Sequence, residues 1–303
     1  MTPTLARMVA AAERHYRKPM KWFALPQLFR YERQQKGRLR EHFQFNADIF
    51  GESSPGADAE LIALLIDSLR ALKLTAADFR IRLSSRNAWH DFYIQRCPAA
   101  DREYDFYQVV DKLEREAPET SETKLRALGF SLEEVRGFIQ AAQPTAELAR
   151  ILDDLAARGL ADFVTIDYGV IRGLAYYTGP VFEAFDCSGA FRAIAGGGRY
   201  DQLVKLISGG RLDLPGLGFG MGDVVLTELL RARKLFPGFE PRIDLFCLIE
   251  NENLRLESLA LVHRLRESGL IVEFPLAPTK SDKQFKRARS EERRVGKECR
   301  SRW

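Results

Sequence analysis

The clearest pattern in this chain is a strict alternation of polar and apolar residues from His42 to Ile49. Alternation with a period of two places the two kinds of side chain on opposite faces of a strand. The polar face consists of His42, Gln44, Asn46 and Asp48, and the apolar face consists of Phe43, Phe45, Ala47 and Ile49. An apolar run and a basic segment precede this strand, so the pattern predicts an antiparallel hairpin.

The polar face of the predicted hairpin carries Gln, Asn and Asp beside a loop that is rich in Arg and Lys. Such a surface suits a polar, anionic ligand, because guanidinium and amide groups donate to phosphate and carboxylate oxygens. The alternative is an ordinary amphipathic hairpin whose polar face lies in water. Thr, Lys and Glu are more usual on a solvated strand face, which favours the ligand-binding interpretation.

Helical periodicity marks the segments on either side of this hairpin. Residues 4–17 predict a helix with Leu5, Met8, Val9 and Ala12 on one face. Residues 58–74 predict a stronger amphipathic helix. Its apolar side consists of Leu61, Leu64, Leu65, Ile66, Leu69 and Leu72. Residues 79–83 alternate again and predict a strand.

The middle of the chain, residues 98–159, is charged and lacks strand patterns. It predicts helices over residues 101–116, 131–143 and 145–158. Ser131 followed by Glu133 and Glu134 is a typical helix start. Strand patterns return over residues 163–186 and 191–195. A glycine-rich strand from Gly216 then leads into a helix over residues 223–233.

Proline and glycine residues between 237 and 241 predict a linker. Beyond it, residues 243–249 and 270–274 predict strands, and residues 253–268 and 281–287 predict helices. Alternation of strands and helices is typical of an α/β domain, so a second domain is expected here. The last 14 residues lack apolar periodicity and are interpreted as a non-native tail; the alternative is a native basic tail.

The amino-acid composition excludes several classes of function for this chain. The chain has 303 residues with 46% hydrophobic and 11% aromatic residues, as in a globular protein. No apolar run is long enough to span a bilayer, and the start does not resemble a signal peptide. The four cysteines are scattered, so neither disulfides nor a zinc site is expected, and the cytoplasm is the expected location. The net charge of +4 is too small to indicate nucleic-acid binding by itself.

Four sequence blocks, in the same order, resemble the histidyl-tRNA synthetase family of class II aminoacyl-tRNA synthetases. The segment FRYERQQKGRLREHFQFNADIFG, residues 29–51, resembles class II motif 2, with Arg30 and Glu32 in its F-R-x-E signature. IRGLAYYTGPVFE, residues 171–183, resembles the histidyl signature R-G-L-D-Y-Y-x-x-x-V-F-E. AGGGRYDQL and GLGFGMGDVVL follow, and the latter resembles a divergent motif 3.

This resemblance implies an α+β fold, in which an antiparallel sheet is flanked by helices. It also implies a helical insertion that contacts the acceptor arm of tRNA, and a truncated anticodon-binding domain. Class II motif 1 and most of the L-R-P-E-x-T segment precede the corresponding start in the family, so a fragment is expected. The expected domains are residues 1–97 and 161–236 for the catalytic core, 98–160 for the insertion, 242–289 for the anticodon-binding part and 290–303 for the tail.

The resemblance further implies a two-step reaction. The carboxylate of L-histidine attacks the α-phosphate of ATP, and the histidyl group then passes from the adenylate to tRNA(His). Arg30 is expected to hold both the carboxylate and the α-phosphate, and Arg172 to approach that phosphate from the opposite side. Glu32 is expected to bind adenine, Arg38 the outer phosphates, and the strand of Gly220 the nucleotide. Mg²⁺ is expected to accompany ATP as a shield for its phosphates.

The histidine pocket is expected to use Thr2, Arg30, Gln44, Asp48, Arg172, Tyr176 and Tyr177. Gln44 and Asp48 lie two strand steps apart on one face, so both are expected to reach one ligand. Tyr176 and Tyr177 are expected to alternate on a strand, with only one facing the cavity directly. By the resemblance, Tyr177 contacts the imidazole, Tyr176 shapes the pocket and Thr2 contacts the ammonium group.

Two positions depart from the family pattern. Val225 stands where most class II synthetases carry a motif 3 arginine for ATP, and Ala175 replaces the Asp of R-G-L-D-Y-Y. The alternative function is therefore a synthetase-like regulatory subunit of ATP phosphoribosyltransferase, which binds histidine as a signal. The intact motif 2 residues and Arg172 favour the ligase. The full-length protein is expected to be a homodimer without membrane contact.

Overall fold

The computed structural model describes residues 1–31, 37, 39–96, 102–172, 176–238 and 243–292. The chain divides into two compact units, Met1–Phe236 and Pro237–Trp303. The first unit contains an α+β fold built on one mixed sheet, and the second contains a small α/β arrangement.

The sheet of the first unit has eight strands, and its neighbouring strands are antiparallel except for one parallel pair, β4 with β5. The strands run in the order β1-β3-β8-β7-β6-β4-β5, and β2 also pairs with β3. Their bounds are β1 Met20–Ala24, β2 Gln27–Phe29, β3 Glu41–Phe50, β4 Phe79–Ser85, β5 Val164–Ile166, β6 Pro180–Asp186, β7 Ala195–Arg199 and β8 Gly216–Gly222.

The hairpin predicted from the alternating residues is confirmed. β2 pairs antiparallel with β3, with Gln27 opposite Phe43, and the backbone N–H of Arg30 donates to the carbonyl of Arg40 at 2.8 Å. The apolar face of β3 packs on the larger core through Ala47 and Ile49. The second half of β3 is buried on both faces, because one apolar cluster covers Ala47 and Ile49 and the other covers Phe50.

Nine described helices surround the sheet. Their bounds are α1 Thr2–Ala12, α2 Pro55–Ala71, α3 Arg86–Ile94, α4 Glu103–Val110, α5 Pro118–Arg126, α6 Leu132–Ala141, α7 Ala146–Ala157, α8 Leu203–Ile207 and α9 Asp223–Ala232. Two short 3-10 helices, Glu13–His15 and Ala161–Phe163, join them. The predicted start of α6 is confirmed, because Ser131 and Glu134 form a reciprocal capping box.

The helices bury two apolar clusters, one on each face of the sheet. The larger cluster joins α2 and α7 to an aromatic group near α3, α4 and α6, which consists of Trp89, Phe92, Phe106, Phe130 and Phe138. The smaller cluster joins α1 and α8 to Phe50 and Tyr200. Both faces of the sheet are therefore covered, and its polar face is enclosed rather than solvated.

Several predicted elements were wrong in detail. Met8 and Leu64, expected on apolar helix faces, are 56% and 43% exposed. The predicted strand over residues 163–186 consists of two short strands, β5 and β6, with irregular backbone between them. The strand predicted over residues 191–195 lies further along, as β7, because Gly196, Gly197 and Gly198 pair with their neighbours without providing an apolar pattern.

The second unit contains the predicted alternation of strands and helices. Its elements are β9 Leu245–Phe246, α10 Arg255–Glu267, β10 Val272–Glu273 and α11 Ser281–Glu292. β9 and β10 pair in parallel, as the βαβ pattern predicts. The strands are shorter than predicted. In the part of the chain that the structure describes, no helix is long and apolar enough to cross a membrane.

A buried ion pair fixes the loop that follows β3 to the end of β7. The Arg199 guanidinium donates through Nη2 to Asp58 Oδ2 at 2.5 Å and through Nε to Asp58 Oδ1 at 3.3 Å. It also donates to the backbone carbonyls of Glu52 and Ser54. The side chains of Arg199 and Asp58 are only 3% and 2% exposed, so neither has water to replace a lost partner.

We expect Asp58→Ala to lower the free energy of unfolding by about 3–5 kcal/mol, because it leaves the Arg199 charge buried and unpaired. Asp67→Ala is the matched control, since Asp67 pairs with Arg70 at the surface and such pairs contribute less than about 1 kcal/mol. Urea denaturation measures both. Equal, small losses in the two variants would contradict this assignment.

Candidate functional site

A cavity of about 990 Å³ opens beside the polar face of β3. Its walls come from β3, from the glycine-rich strands β7 and β8, from the segment between β5 and β6, and from the start of α9. A second part of the wall comes from α4 and α6. The cavity therefore lies between the sheet and the helical segment that interrupts it in sequence.

The polar face of β3 contributes His42, Gln44 and Asn46 to this cavity. Asn46 donates its side-chain amide to the carbonyl of Gln44 at 3.0 Å, which fixes the Asn46 side chain. The Gln44 side chain lies over Gly220 of β8, where an added Cβ would come within 2.4 Å of Gln44 Nε2. The absence of a side chain at Gly220 thus leaves room for Gln44.

Asp48 lies on the same strand face, but it does not line the cavity, so its predicted contact with the ligand stays a prediction. The Tyr200 hydroxyl donates to Asp48 Oδ1 at 2.5 Å, and Gly218 leaves room for this carboxylate. Burial raises the pKa of Asp48 from its ordinary value near 3.8 to about 6, although the Tyr200 hydrogen bond works against this rise.

Arg172 also lines the cavity and has a left-handed backbone conformation, with φ of 56°. Its Nη1 donates to Glu183 Oε1 at 2.5 Å, and its guanidinium carbon lies 5.6 Å from the centre of the Tyr177 ring. Glu183 lies on β6 and also lines the cavity. The carboxylate and the ring together hold the arginine fork against the sheet.

Gly196 forms the surface on which this guanidinium lies. A Cβ added there would come within 1.9 Å of Arg172 Nη1, far inside van der Waals contact. The absence of a side chain at Gly196 thus lets the backbone pass close to Arg172, and both residues line the cavity.

Tyr176 and Tyr177 both line the cavity and neither lies in a strand, so their predicted alternation on a strand was wrong. Their ring centres are 4.8 Å apart. Irregular backbone allows two consecutive side chains to face one cavity, which a strand does not. Thr2 also lines the cavity and is hydrogen-bonded to Tyr176 through its side chain.

Arg30 lines the same cavity as Arg172, and its Nε donates to the carbonyl of Leu39 at 2.8 Å. Glu32, Arg38 and Ala175 lie outside the described residues. Gly220 lines the cavity from β8. The structure therefore brings Thr2, Arg30, Gln44, Arg172, Tyr176, Tyr177 and Gly220 to one cavity, and it leaves Asp48 behind its wall.

Sequence reasoning missed Glu183 and a group of basic residues. Arg82, Arg115, Arg136 and Arg192 also line the cavity. They come from four distant parts of the chain, so no local sequence pattern predicts that they line one cavity. Glu183 is the last residue of the signature block in the sequence. Its carboxylate, eleven residues after a candidate catalytic arginine, could have indicated that the two residues form a pair. Among the described residues, no group of three or more His, Cys, Asp or Glu could hold a metal ion.

Two solved structures share this fold. A histidyl-tRNA synthetase from Nostoc sp. PCC 7120 superposes with a TM-score of 0.76 and 21% identity, covering 95% of this chain and 72% of that one. A Bacillus halodurans protein, described as an ATP phosphoribosyltransferase regulatory subunit/histidyl-tRNA synthetase, has a TM-score of 0.71 and 20% identity, covering 93% and 75%. The chain thus has the same fold as these two structures.

A family model described as histidyl-tRNA synthetase matches residues 1–222. The histidine–tRNA ligase of Opitutus terrae is 44% identical over 311 residues, and that of Thermoplasma volcanium is 37% identical over 307 residues. Each alignment covers 95% of this chain and 70% of the relative. The chain therefore belongs to the histidyl-tRNA synthetase family, whose members are ATP-dependent aminoacyl-tRNA ligases.

Gly196→Ala is expected to displace the Arg172 guanidinium, because the new Cβ would occupy its place. The clash involves the flexible end of a side chain, so the free energy of unfolding should fall by no more than about 1 kcal/mol. A crystal structure of the variant and urea denaturation measure the two effects. Gly137→Ala, on α6 with open space around it, is the control. An unmoved Arg172–Glu183 pair would refute this interpretation of Gly196.

Asp48 makes a prediction about pH. Because its folded-state pKa is raised, its contribution to stability is complete below pH 4 and is lost as pH rises through about 6. The unfolding free energies of the wild type and of Asp48→Asn should therefore differ by an amount that changes by about 3 kcal/mol between these limits. Denaturation curves from pH 4 to 7 measure this change, and parallel pH profiles would contradict it.

Proposed function

We propose that the cavity is the site at which this chain activates L-histidine with ATP for transfer to tRNA(His). The observation that carries the proposal is that Arg30, Gln44, Arg172 and the two consecutive tyrosines line one cavity. Two arginines suit two anions, the histidine carboxylate and the α-phosphate, that must be brought together for reaction.

The first step forms a bond between a carboxylate oxygen of histidine and the α-phosphorus, and breaks the bond from that phosphorus to the bridging oxygen of pyrophosphate. Charge on the α-phosphate oxygens is neutralised by guanidinium groups. Arg172 suits this role because Glu183 and Tyr177 hold its fork before ATP binds. Arg30 approaches from the hairpin and is proposed to hold the carboxylate and the same phosphate.

Gln44, Tyr176, Tyr177 and Thr2 are proposed to bind the amino acid. An imidazole needs both a donor and an acceptor, and hydroxyl and amide groups supply them. A buried polar pocket of this kind rejects analogues that leave its groups unpaired. Asp48 is hydrogen-bonded to Tyr200 in the present structure, and its carboxylate remains a proposed partner for the histidine substrate, with Thr2 proposed to contact the ammonium group.

ATP is proposed to lie along β8, with Gly220 leaving space for the nucleotide. Glu32 and Arg38, by the family resemblance, are proposed to bind adenine and the outer phosphates. Mg²⁺ is proposed to enter with ATP as part of the substrate, because it shields the β- and γ-phosphates. In the second step a hydroxyl of the terminal ribose of tRNA attacks the histidyl carbonyl, and AMP leaves.

The helical side of the cavity supports a role in binding tRNA. Arg82, Arg115 and Arg136 line the wall between the sheet and the helices of residues 98–160. Basic side chains beside an active site suit the phosphates of an incoming acceptor strand. We propose that these helices form the tRNA-contacting insertion, and that residues 242–289 belong to an anticodon-binding domain.

The proposal extends to a homodimer located in the cytoplasm. β1 is an edge strand, and Phe23, Leu25 and Phe29 near this edge are strongly exposed. An exposed apolar sheet edge needs a partner, and a second copy suits the family. Cys187 and Cys247 are free thiols, which fits a reducing compartment.

Histidine-dependent exchange of pyrophosphate into ATP tests the proposed function. It should be measured on this chain and on a chimaera that adds the unaligned residues of the Opitutus terrae relative. Exchange with histidine, and with no other amino acid, is the expected result. Histidine binding by calorimetry without exchange in either form would instead favour a histidine-sensing regulatory subunit, for which Val225 in place of an arginine is the supporting observation.

A further inference from the structure

The cavity wall contains a position without charge where other class II synthetases carry a cation. Val225, in the first turn of α9, is buried and lines the cavity. The ATP phosphates proposed to bind there carry several negative charges, so a further cation near the same point would stabilise them in addition to Arg38 and Mg²⁺.

The surroundings of Gly37, in the loop between β2 and β3, show which cation lies near Val225. A Cβ built at Gly37 would lie 3.3 Å from Val225 Cγ2 and 3.8 Å from Arg192 Cδ. Val225 and Arg192 therefore flank the same point from two different elements. Arg192 lines the same cavity as Arg30 and Arg172. An arginine extends beyond its Cδ, so its guanidinium can reach ligand atoms that a shorter side chain at Val225 cannot.

The backbone beneath Arg192 is firmly anchored. The buried carboxylate of Asp186 accepts from the backbone N–H groups of Ala190 and Phe191, each at 3.0 Å. Burial opposes its ionisation, but these donors and the Ser188 hydroxyl hold the pKa of Asp186 below its ordinary value. After Arg192, the backbone N–H of Ile194 donates to the carbonyl of Ala184 at 2.7 Å. The exposed Arg192 side chain thus projects from a fixed base.

We propose that Arg192 binds the outer phosphates of ATP and supplies the charge that Val225 lacks. The proposal rests on the proposed function of the cavity. Arg30 and Arg172 serve the α-phosphate, whereas the exposed position of Arg192 suits the β- and γ-phosphates, which point away from the reacting atoms. Glu228 Oε2 lies 3.9 Å from the same Gly37 point, so a carboxylate as well as an arginine is near the proposed phosphate position.

Calorimetric titration of ATP and of AMP, each with Mg²⁺, into Arg192→Met tests the proposal. Loss of a charge-assisted contact to the outer phosphates should weaken ATP binding about tenfold or more and leave AMP binding within about twofold. Arg192→Lys should lie between the two, because a point charge replaces the bidentate fork. Arg70→Met, which removes an exposed arginine outside the cavity, is the matched control.

The two possible failures are distinguishable. If the wild-type chain binds neither ATP nor AMP, the proposed function of the cavity fails. If the wild type binds both and Arg192→Met weakens them equally, or weakens neither, Arg192 does not bind the outer phosphates and this inference is overturned.

Discussion

The site depends on the close approach of a guanidinium group to the backbone of the central sheet. Arg172 lies over Gly196 so closely that no side chain fits between them, and Glu183 from the neighbouring strand holds its outer nitrogen. Gln44 lies over Gly220 and Asp48 over Gly218 in the same manner. The glycines of β7 and β8 thus create a floor on which long polar side chains lie flat, and the cavity above them stays open.

The glycines of β7 and β8 keep their positions because the ends of the strands are fixed. Arg199, the last residue of β7, is bound to Asp58 and to the carbonyls that follow β3, so the two strands are fixed to each other and to α2. Asp186 anchors the end of β6 in a similar way, because its carboxylate accepts hydrogen bonds from the backbone of the turn that leads to Arg192. Buried carboxylates therefore act as anchors in the fold, while the arginines of the cavity face the ligand.

The parts of the fold that a side-chain pattern specifies could be predicted from the sequence. β3 alternates and α6 starts with a capping box, so both were predicted and confirmed. β7 could not be found in the same way, because three glycines carry no face pattern. In the site, the strand face led to Gln44, whereas Asp48 on the same face is hydrogen-bonded to Tyr200 and does not line the cavity. The positions of Arg192 and Glu183 in the site depend on residues elsewhere in the sequence, and such a dependence leaves no periodic pattern from which to predict it.

We propose above all that Arg30 and Arg172, which line the same cavity, meet at one phosphate. A crystal structure of this chain with histidine and a non-hydrolysable ATP analogue tests it most directly. The account predicts that the α-phosphate lies between Arg30 and Arg172, each within hydrogen-bonding distance, with the histidine carboxylate beside it. An analogue whose α-phosphate contacts only one of these arginines, or that binds outside the cavity, would contradict the account.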